Sequence, residues 1–290
     1  PGLYVSYFSG LFCVQAVKGE TMTIRIEVLH KPRIDDVQPI LPENWQVRLD
    51  KLFSLHLGHP WFNALIALDG GVPVGYANTL CFGKSGWLGN IAVLEEWRER
   101  GIGTALTKRS MDLLARQGCE QFCLFATPMG QPVYESLGFR VDGYYSFLSA
   151  EKGDFHVPPG VEKAGKGDHA LITEMDAAIT GEDRHNFLSA YMNGACITRD
   201  AQGKPNGYYL PALGTGAIGA LDNRAGEALL EAMWAEKEAF AIIPEDNQKA
   251  VNFAVGRGFK EVLKSPLMKA GEKKERRTTM IFNRGTGYSG

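Results

Sequence analysis

The sequence predicts an α/β protein that is built from two domains. Its 290 residues exceed the usual length of one domain, for which about 150 residues is typical. The stretch 87–106 changes from an apolar, strand-like run to a glycine-containing loop and then to an amphipathic helix. A linker that contains Pro158-Pro159-Gly160 separates two halves that both show strand and helix signals.

The composition is that of a globular protein, with 44% hydrophobic and 22% charged residues. The 31 basic and 33 acidic residues give a net charge of −2, so no overall field favours nucleic acid or an anionic membrane. We therefore expect a small-molecule partner, no nucleic-acid partner and no membrane partner.

The cysteines are sparse and form no C-x-x-C pair. They stand at positions 13, 81, 119, 123 and 196. This pattern argues against a disulfide framework or a structural zinc site, so we expect no metal and a cytoplasmic location. Cys119 and Cys123 are interpreted as small buried hydrophobic residues rather than as redox groups.

Residues 1–21 are interpreted as an N-terminal extension that is non-native or disordered. This stretch has no charge before Lys18, lacks an initiating Met, and is too short and too mixed to span a bilayer. Met22 is followed at once by the strand-like run 23–29. The first domain is therefore expected to begin at Met22.

Secondary-structure signals in the first half follow the order β-α-α-β-β-β-α-β-α-β. After the first strand, residues 34–41 indicate a short helix that Pro39 breaks, and residues 44–57 indicate a longer one. Asp69-Gly70 suits the tight turn of a hairpin. The remaining signals are strands at 63–68, 72–80, 87–94, 121–126 and 139–148, and helices at 102–114 and 132–137.

The loop between the strand and the helix suits the binding of an anion. The first turn of a helix presents unpaired N–H groups and the positive end of its dipole, and Gly101 and Gly103 let a phosphate approach the backbone. Two glycines alone are more often an ordinary strand-to-helix turn. The loop matches neither G-x-x-x-x-G-K-[ST] nor G-x-G-x-x-G, because Leu106 occupies the third glycine position.

The spacing of three residues strengthens this signal. Arg98-x-x-Gly101-x-Gly103, placed after an apolar strand, resembles the acyl-CoA-binding signature [QR]-x-x-G-x-[GA] of the GNAT superfamily of N-acetyltransferases. The resemblance covers roughly residues 22–150. It implies acetyl-CoA as the co-substrate.

A second motif follows at the matching distance. Tyr134, with Gly138 and Phe139 after it, resembles the next motif of that family, Y-x-x-x-G-F. The two motifs together imply the α/β (α+β) fold of the GNAT acyl-CoA N-acyltransferases, with a mixed central sheet.

In the GNAT family the motif strand and the next parallel strand diverge, and the pantetheine arm pairs with the backbone between them. The resemblance therefore implies that the pantetheine and the acyl group contact Ile91, Ala92 and Val93. The residues implied for the pyrophosphate are Arg98 at the loop entry, then Glu99, Arg100, Gly101, Ile102, Gly103 and Thr104.

One position departs from the family pattern. Family members usually have Asn seven residues before the motif tyrosine, and this chain has Thr127, followed by Pro128. The resemblance implies that Thr127 hydrogen-bonds the CoA arm in place of the asparagine.

Acyl transfer to an amine requires an acid, an oxyanion donor and a base. Tyr134 is the candidate acid, since a phenol with a pKa of about 10 is neutral at pH 7 and can protonate a thiolate; its alternative role is that of a core tyrosine. The backbone N–H of Val93 is the candidate oxyanion donor. An alkylamine with a pKa of about 10.4 also needs a base or a water chain. No base is identified, and the residues interpreted as solvated or structural instead are Glu95, Glu96, His56 and His59.

The second half resembles a degenerate copy of the same domain. Asn247 begins a second terminal motif, in which Ala254 replaces the tyrosine. Gly226 and Ala228 keep part of the phosphate loop, but Asn223 replaces its leading Gln or Arg. We expect this half to turn over no acyl-CoA and to pack on the first half to complete the acceptor pocket, a second silent CoA site being the alternative.

Two further segments of this half drew separate interpretations. Residues 182–185 are interpreted as a solvated helix cap, although a similar segment begins the C-terminal domain of tandem acetyltransferases. Gly214 to Gly219 satisfies G-x-G-x-x-G, but Pro211 interrupts the preceding strand, which weakens a dinucleotide interpretation. A helix is expected over residues 223–240.

The expected organisation is two copies of the fold in tandem. The boundaries are an extension at 1–21, a GNAT acetyltransferase domain at 22–150, a linker at 151–160 and a degenerate GNAT-like domain at 161–290.

The resemblance implies an acetyl-CoA-dependent N-acetyltransferase. The acyl group would pass to a primary amine of a small molecule by direct attack in a ternary complex. A non-catalytic acyl-CoA-binding or sensing protein is the alternative, and a nicotinamide-dependent oxidoreductase a distant third. A homodimer is left open.

Overall fold

The computed structural model describes residues 7–8, 11–15, 21–45, 47–151, 153–272 and 274–287. Contacts between Cα atoms divide the chain into two compact units. The first unit contains residues 1–124 and 128–139, and the second contains residues 125–127 and 140–290. Within the described ranges, no helix has the length and apolar character needed to cross a bilayer.

The first unit is an α/β domain. Its strands are β1 (Tyr7–Phe8), β2 (Leu11–Gln15), β3 (Thr21–Val28), β4 (Phe62–Asp69), β5 (Val72–Phe82), β6 (Ser85–Val93) and β7 (Gln121–Phe125). Its helices are α1 (Ile34–Val37), α2 (Leu49–His56), α3 (Ile102–Arg116) and α4 (Gln131–Ser136). Strands β1 to β6 are antiparallel neighbours in chain order, and β7 pairs in parallel with β6.

Helix α3 packs closely on this sheet, and its buried face contains the predicted Ile102 and Leu106. Two glycines in the strands permit this approach. A Cβ atom at Gly75 would lie 3.0 Å from Leu106 Cδ1, and one at Gly86 would lie 2.7 Å from Leu114 Cδ1. The amphipathic pattern of the sequence is therefore confirmed by packing.

The helix predicted at residues 44–57 begins later than expected. Residues Glu43–Trp45 form a separate 3₁₀ turn, and α2 starts at Leu49. The side chain of Gln38 accepts a hydrogen bond from the Leu49 N–H at 3.0 Å and donates one to the Val47 carbonyl at 2.9 Å. The Gln38 side chain thus bonds to backbone groups at Val47 and Leu49 that would otherwise lack a partner at the helix start. The helix can therefore begin at Leu49 rather than at residue 44.

The N-terminal stretch contains regular structure where it is described. Strand β2 pairs with β3 from Leu11 opposite Arg25 to Gln15 opposite Thr21, and β1 pairs with β2. The expectation of disorder therefore does not hold for these residues. The rest of residues 1–20 lies outside the described residues, and the interpretation of the stretch as an extension stays a prediction.

The second unit contains eight strands and four helices among the described residues. Its strands are β8 (Arg140–Ser149), β9 (Glu162–Lys163), β10 (Cys196–Arg199), β11 (Pro205–Leu210), β12 (Ala217–Ala220), β13 (Phe240–Pro244), β14 (Lys260–Gly271) and β15 (Ile281–Asn283). Its helices are α5 (Asp168–Thr180), α6 (His185–Ser189), α7 (Asn223–Glu236) and α8 (Gln248–Gly256). A core around Trp234 joins α7, α8 and the strands beside them.

Strand β8 groups with the second compact unit, whereas the predicted first domain extends to residue 150. The sequence placed this strand at the end of the first domain, but it pairs antiparallel with β13 and β14 of the second unit. The strands β9 to β12 and β15 form a separate sheet, in the order β15-β12-β11-β10-β9. The helix expected over 223–240 ends at Glu236, because Lys237 is extended and Phe240 begins β13.

The expectation of a solvated helix cap at residues 182–185 is wrong for two of its residues. Arg184 is 4% exposed and donates two hydrogen bonds to the carboxylate of the fully buried Asp176, at 2.9 and 2.5 Å. The Tyr208 hydroxyl donates to the same carboxylate at 2.5 Å. Glu182, which is 3% exposed, forms an ion pair with Arg276. These charged groups can be buried because each of them has a partner of opposite charge.

Replacement of Asp176 tests this cluster. We expect Asp176→Ala to lower the free energy of unfolding of the second unit by about 3–5 kcal/mol, because a buried guanidinium loses its bidentate partner. Glu174→Ala is the control on the same helix, since Glu174 is exposed, and it should change stability by less than about 0.5 kcal/mol. Urea unfolding measures both, and equal effects of the two substitutions would contradict the assignment.

Candidate active site

Strand β6 contains a bulge that sequence analysis did not foresee. Its register against β5 shifts between Tyr76, opposite Ala92, and Asn78, opposite Gly89. Asn90 lies in this interval with a left-handed φ of 52°, and its side chain donates to Asn78 Oδ1 at 2.7 Å. Asn tolerates this conformation better than other residues that have a Cβ, so the bulge has a local sequence signal.

Strands β6 and β7 pair only at one end. In the part of the chain that the structure describes, their register runs from Ser85 opposite Gln121 to Trp87 opposite Cys123, although β6 continues to Val93. The second half of β6 therefore presents backbone groups on the edge that faces away from β5.

The N–H of Val93 lies on this edge. Leu94 donates its N–H to the Val74 carbonyl at 3.0 Å, and Val93 is opposite Gly75. In an antiparallel ladder this pattern makes Val93 and Gly75 a non-hydrogen-bonded pair, so the backbone groups of Val93 face away from β5. The geometry fits the role that the resemblance implies for this N–H.

Of the residues implied for the acyl arm, Ala92 is buried, whereas Ile91 and Val93 are half-buried. All three belong to the half of β6 for which no pairing with β7 is described. A ligand that lies along this edge can therefore reach backbone groups of the strand as well as its side chains.

The loop after β6 is held by its own side chains. Arg98 Nε donates to the Val93 carbonyl at 3.2 Å, and Arg100 donates to the Glu96 carbonyl at 2.8 Å with its guanidinium over the Trp97 ring. Arg98 therefore braces the loop against the end of β6. Glu99 is exposed and has a φ of 61°, which tightens the turn into the helix.

Helix α3 begins without a side-chain cap. Its N-cap residue Gly101 has a φ of 78°, and among the described residues the cap position provides no side-chain hydrogen bond to the first turn. The first turn contains Ile102, whose side chain is buried, and the half-buried Gly103 and Thr104. The positive end of the dipole of this 15-residue helix lies here, and such a helix end with unpaired N–H groups favours an anion.

Tyr134 lies on α4, which packs against α3. Its side chain is 8% exposed and meets the Phe139 ring edge-on at a centroid distance of 6.0 Å. Burial raises the pKa of Tyr134 to about 12. The phenol is therefore fully protonated at neutral pH and can act as a hydrogen-bond donor.

His56 does not have the properties of a general base. It is 1% exposed and packs against Phe62, and burial followed by the charge of His59 lowers its pKa to about 4. His59 stacks on the Trp61 ring at 4.2 Å. These contacts agree with the structural interpretation of both histidines.

The structure also describes the surroundings of two further sequence-derived candidates. Thr127 is exposed, follows β7 and groups with the second unit. The segment Gly214 to Gly219 leads into strand β12 rather than into a helix N-terminus, so it lacks the strand–loop–helix geometry of a dinucleotide site. This removes the structural basis of the oxidoreductase alternative.

The second unit encloses a cavity of about 420 Å³. Charged and aromatic side chains line it, including Asp142, Tyr145, Asp246, Lys269, Arg276 and Arg277. Lys269 and Asp142 form an ion pair at 2.6 Å, and the buried Tyr145 hydroxyl has no hydrogen-bond partner among the described residues. The cavity has the size and polarity to hold a small polar molecule.

The half-paired strand, the braced loop and the uncapped helix lie together in the first unit of this α/β protein. Two family profiles, both described as an acetyltransferase (GNAT) domain, match residues 60–141 and 172–283. The chain belongs to the GNAT superfamily and contains two GNAT domains in tandem. A search of curated proteins by sequence gives no match.

Solved structures share this fold. The chain resembles a protein from Pyrococcus horikoshii with a TM-score of 0.78 and 21% identity, over 98% of each chain. It resembles a tandem GNAT protein from the clavulanic acid biosynthesis pathway with a TM-score of 0.55 and 16% identity, over 87% of this chain and 99% of that one. A GCN5-related N-acetyltransferase from Sphaerobacter thermophilus gives 0.56 and 15%, over 88% and 98%. At these identities the likeness concerns the fold.

Gly103 offers a matched pair of substitutions in the loop. A Cβ at this position would lie 3.9 Å from Val93 Cγ2, an ordinary contact, so Gly103→Ala should change the Kd for acetyl-CoA by less than about threefold. Gly103→Glu places a carboxylate at the anion site and should weaken binding at least about tenfold, or ~1.4 kcal/mol. Calorimetric titration measures both, and equal affinities would contradict the assignment of this helix end.

Proposed function

We propose that this protein is an acetyl-CoA-dependent N-acetyltransferase that acetylates the primary amine of a small molecule by direct attack in a ternary complex. The observation that carries the proposal is the uncapped N-terminus of α3 beside the half-paired β6. A phosphate-bearing ligand with an extended amide arm matches both features. Membership of the GNAT superfamily supports the same reaction class.

The residues of the first unit fit acetyl-CoA. The N–H groups at Ile102, Gly103 and Thr104 would hold the pyrophosphate, and the free edge of β6 would hold the pantetheine arm. When bound, acetyl-CoA supplies an acetyl thioester as the electrophile.

Two groups of the chain would serve the transfer. The Val93 N–H can donate to an oxygen that gains negative charge beside β6. Tyr134 can donate a hydrogen bond to a thiolate, but its pKa of about 12 lies above that of a thiol, about 8.5, so complete proton transfer is unfavourable. We therefore assign Tyr134 the role of stabilising the thiolate by a hydrogen bond.

Deprotonation of the amine sets the expected pH dependence. An alkylamine with a pKa of about 10.4 is mostly protonated at pH 7, and His56, with its pKa of about 4, is too weak a base to change this. The rate should rise with pH as the neutral amine becomes more abundant. Tyr134 stays protonated below its pKa of about 12, so it should cause no fall in rate below about pH 10.

Substitution of Tyr134 separates catalysis from binding. We expect Tyr134→Phe to lower kcat by about 10²-fold to 10³-fold, because a hydrogen-bond donor to the developing thiolate is lost, while the Kd for acetyl-CoA stays within about threefold. The assay follows release of the CoA thiol over a panel of small primary amines from pH 6 to about pH 10. Leu137→Met, on the half-buried residue that follows α4, is the control and should leave kcat unchanged.

Two results would count against the proposal. Acetyl-CoA binding without thiol release for any amine would favour the non-catalytic acyl-CoA-binding or sensing protein. An unchanged kcat in Tyr134→Phe would remove this residue from the reaction. The cytoplasmic location, the small-molecule amine as partner and the absence of a nucleic-acid partner rest on composition and stay predictions.

A further inference from the structure

In the first unit, the partly paired strands β6 and β7 form a fork. The last strand of the second unit, β15, lies between the two strands that correspond to β6 and β7. By their order along the chain, β12 and α7 repeat β6 and α3, and β13 and α8 repeat β7 and α4. Strand β15 pairs antiparallel with β12, with Ile218 opposite Asn283. On its other side, Arg284 donates its N–H to the Ile242 carbonyl at 3.0 Å. The backbone of β15 thus bonds to both strands.

Side-chain hydrogen bonds also hold β15 between β12 and β13. Asn283 accepts the Ile242 N–H at 2.6 Å through Oδ1 and donates through Nδ2 to the Gly216 carbonyl. Thr215 donates its N–H to the Gly285 carbonyl at 2.9 Å. Residues 281–286 are buried along their whole length. The contacts replace hydrogen bonds that a divergent pair of strands leaves unmade.

Two motif residues of the second GNAT domain contact this strand. Asn247, the residue that begins the terminal motif, donates its side-chain N–H to the Ile281 carbonyl at 3.0 Å. Gly226, the remnant of the phosphate loop, lies against Phe282, whose ring a Cβ at Gly226 would overlap. The motif positions that would face an acyl-CoA therefore face residues 281 and 282 of the same chain.

The N-terminus of α7 is also unlike that of α3. Only Leu221 and Asp222 separate β12 from α7. This described segment therefore has no counterpart of the longer loop that connects β6 to α3 in the first unit. Asp222 caps the helix by accepting the Ala225 N–H at 2.9 Å. A carboxylate already satisfies this helix end and would repel a phosphate.

From this geometry we propose that β15 permanently occupies the acyl-CoA slot of the second GNAT domain, in the place of a pantetheine arm. Acetyl-CoA then binds once per chain, in the first unit. This statement about stoichiometry rests on the proposed function of the first unit, whereas the occupation of the slot by β15 does not.

Hydrogen exchange of the full chain, followed by mass spectrometry, tests the proposal without an activity assay. In the wild type, acetyl-CoA should leave exchange of residues 213–220, 240–244 and 281–286 unchanged. Asn283→Ala should speed exchange in all three segments at least about tenfold, because they open together. Asn252→Ala, at an exposed position on α8, is the matched control and should change none of them.

The outcomes separate this proposal from the function proposed above. Slower exchange of the three segments when acetyl-CoA is added to the wild type would overturn it, as would unchanged exchange in Asn283→Ala. If Asn283→Ala does not fold, Phe282→Leu tests the same strand, and its failure to speed exchange would overturn the proposal. If acetyl-CoA does not change the hydrogen exchange of residues 90–106, the function proposed for the first unit is contradicted. The role of β15 is then decided by the exchange rates of Asn283→Ala and its control alone.

A separate feature lies at the paired end of the first-unit fork. Cys81, near the end of β5, and Cys119, just before β7, place their sulfur atoms 3.3 Å apart. Cys81 is partly exposed, and Cys119 is buried. The hydrogen bond from Cys119 lowers the pKa of Cys81 to about 7, which favours its thiolate. The same hydrogen bond, followed by burial, raises the pKa of Cys119, which therefore stays a thiol.

The juxtaposition of these two thiols leads us to infer that Cys81 and Cys119 are a site of oxidation to a disulfide by peroxide. The Cys81 thiolate attacks one oxygen of hydrogen peroxide, forming a sulfenic acid and releasing hydroxide. The Cys119 sulfur then attacks the Cys81 sulfur, its proton leaves, and water is released as the S–S bond forms. The two thiols are oxidised and the peroxide is reduced to two waters. This assigns Cys119 a redox role that the sequence analysis did not favour.

Peptide mapping under non-reducing conditions tests this site. Stoichiometric hydrogen peroxide should link the peptides that contain Cys81 and Cys119, with loss of two hydrogen atoms and recovery on reduction. Cys119→Ser should abolish the link and leave Cys81 open to further oxidation, whereas the control Cys196→Ser should leave the link unchanged. Oxidation of Cys81 to the sulfinic acid in the wild type without a link, or no reaction of either thiol, would overturn the inference.

Discussion

The structure depends on one constraint, which is that two strands diverge in each GNAT domain and leave backbone groups to be satisfied. Among the described residues of the first unit, β6 and β7 pair only as far as Trp87, and the remaining edge of β6 contains the N–H of Val93. Backbone groups of this kind are costly to bury without a partner. A ligand with an extended amide arm meets that requirement, which connects the shape of the sheet to the chemistry proposed for it.

The two GNAT domains differ in what pairs with these backbone groups. The first keeps a glycine at the start of α3 and leaves the helix N–H groups uncapped. The second caps α7 with Asp222 and fills its fork with β15. Electrostatics and hydrogen bonding therefore agree within each domain. The first has a helix N-terminus without a side-chain cap and a strand edge that β7 does not pair, whereas the second has a capped helix end and a strand that β15 pairs. Loss of the motif tyrosine at Ala254 agrees with this division.

The sequence was informative where local pattern decides structure. The periodicity of α3 and the spacing of Arg98, Gly101 and Gly103 located the helix, its N-terminus and the loop that leads into it. Strand β15 could not be foreseen, because three residues have no readable period and its role arises from pairing with distant strands. The buried charge of Arg184 was missed for the same reason, since its partner Asp176 is identified only by the fold.

A crystal structure of the full chain with a hydrolysis-resistant acetyl-CoA analogue would show which strand pair holds the cofactor. We expect one analogue per chain, with its pyrophosphate at the N–H groups of residues 102–104 and its pantetheine arm along residues 91–93. Strand β15 should keep its pairing with β12. An analogue between β12 and β13, or none at the start of α3, would contradict the account.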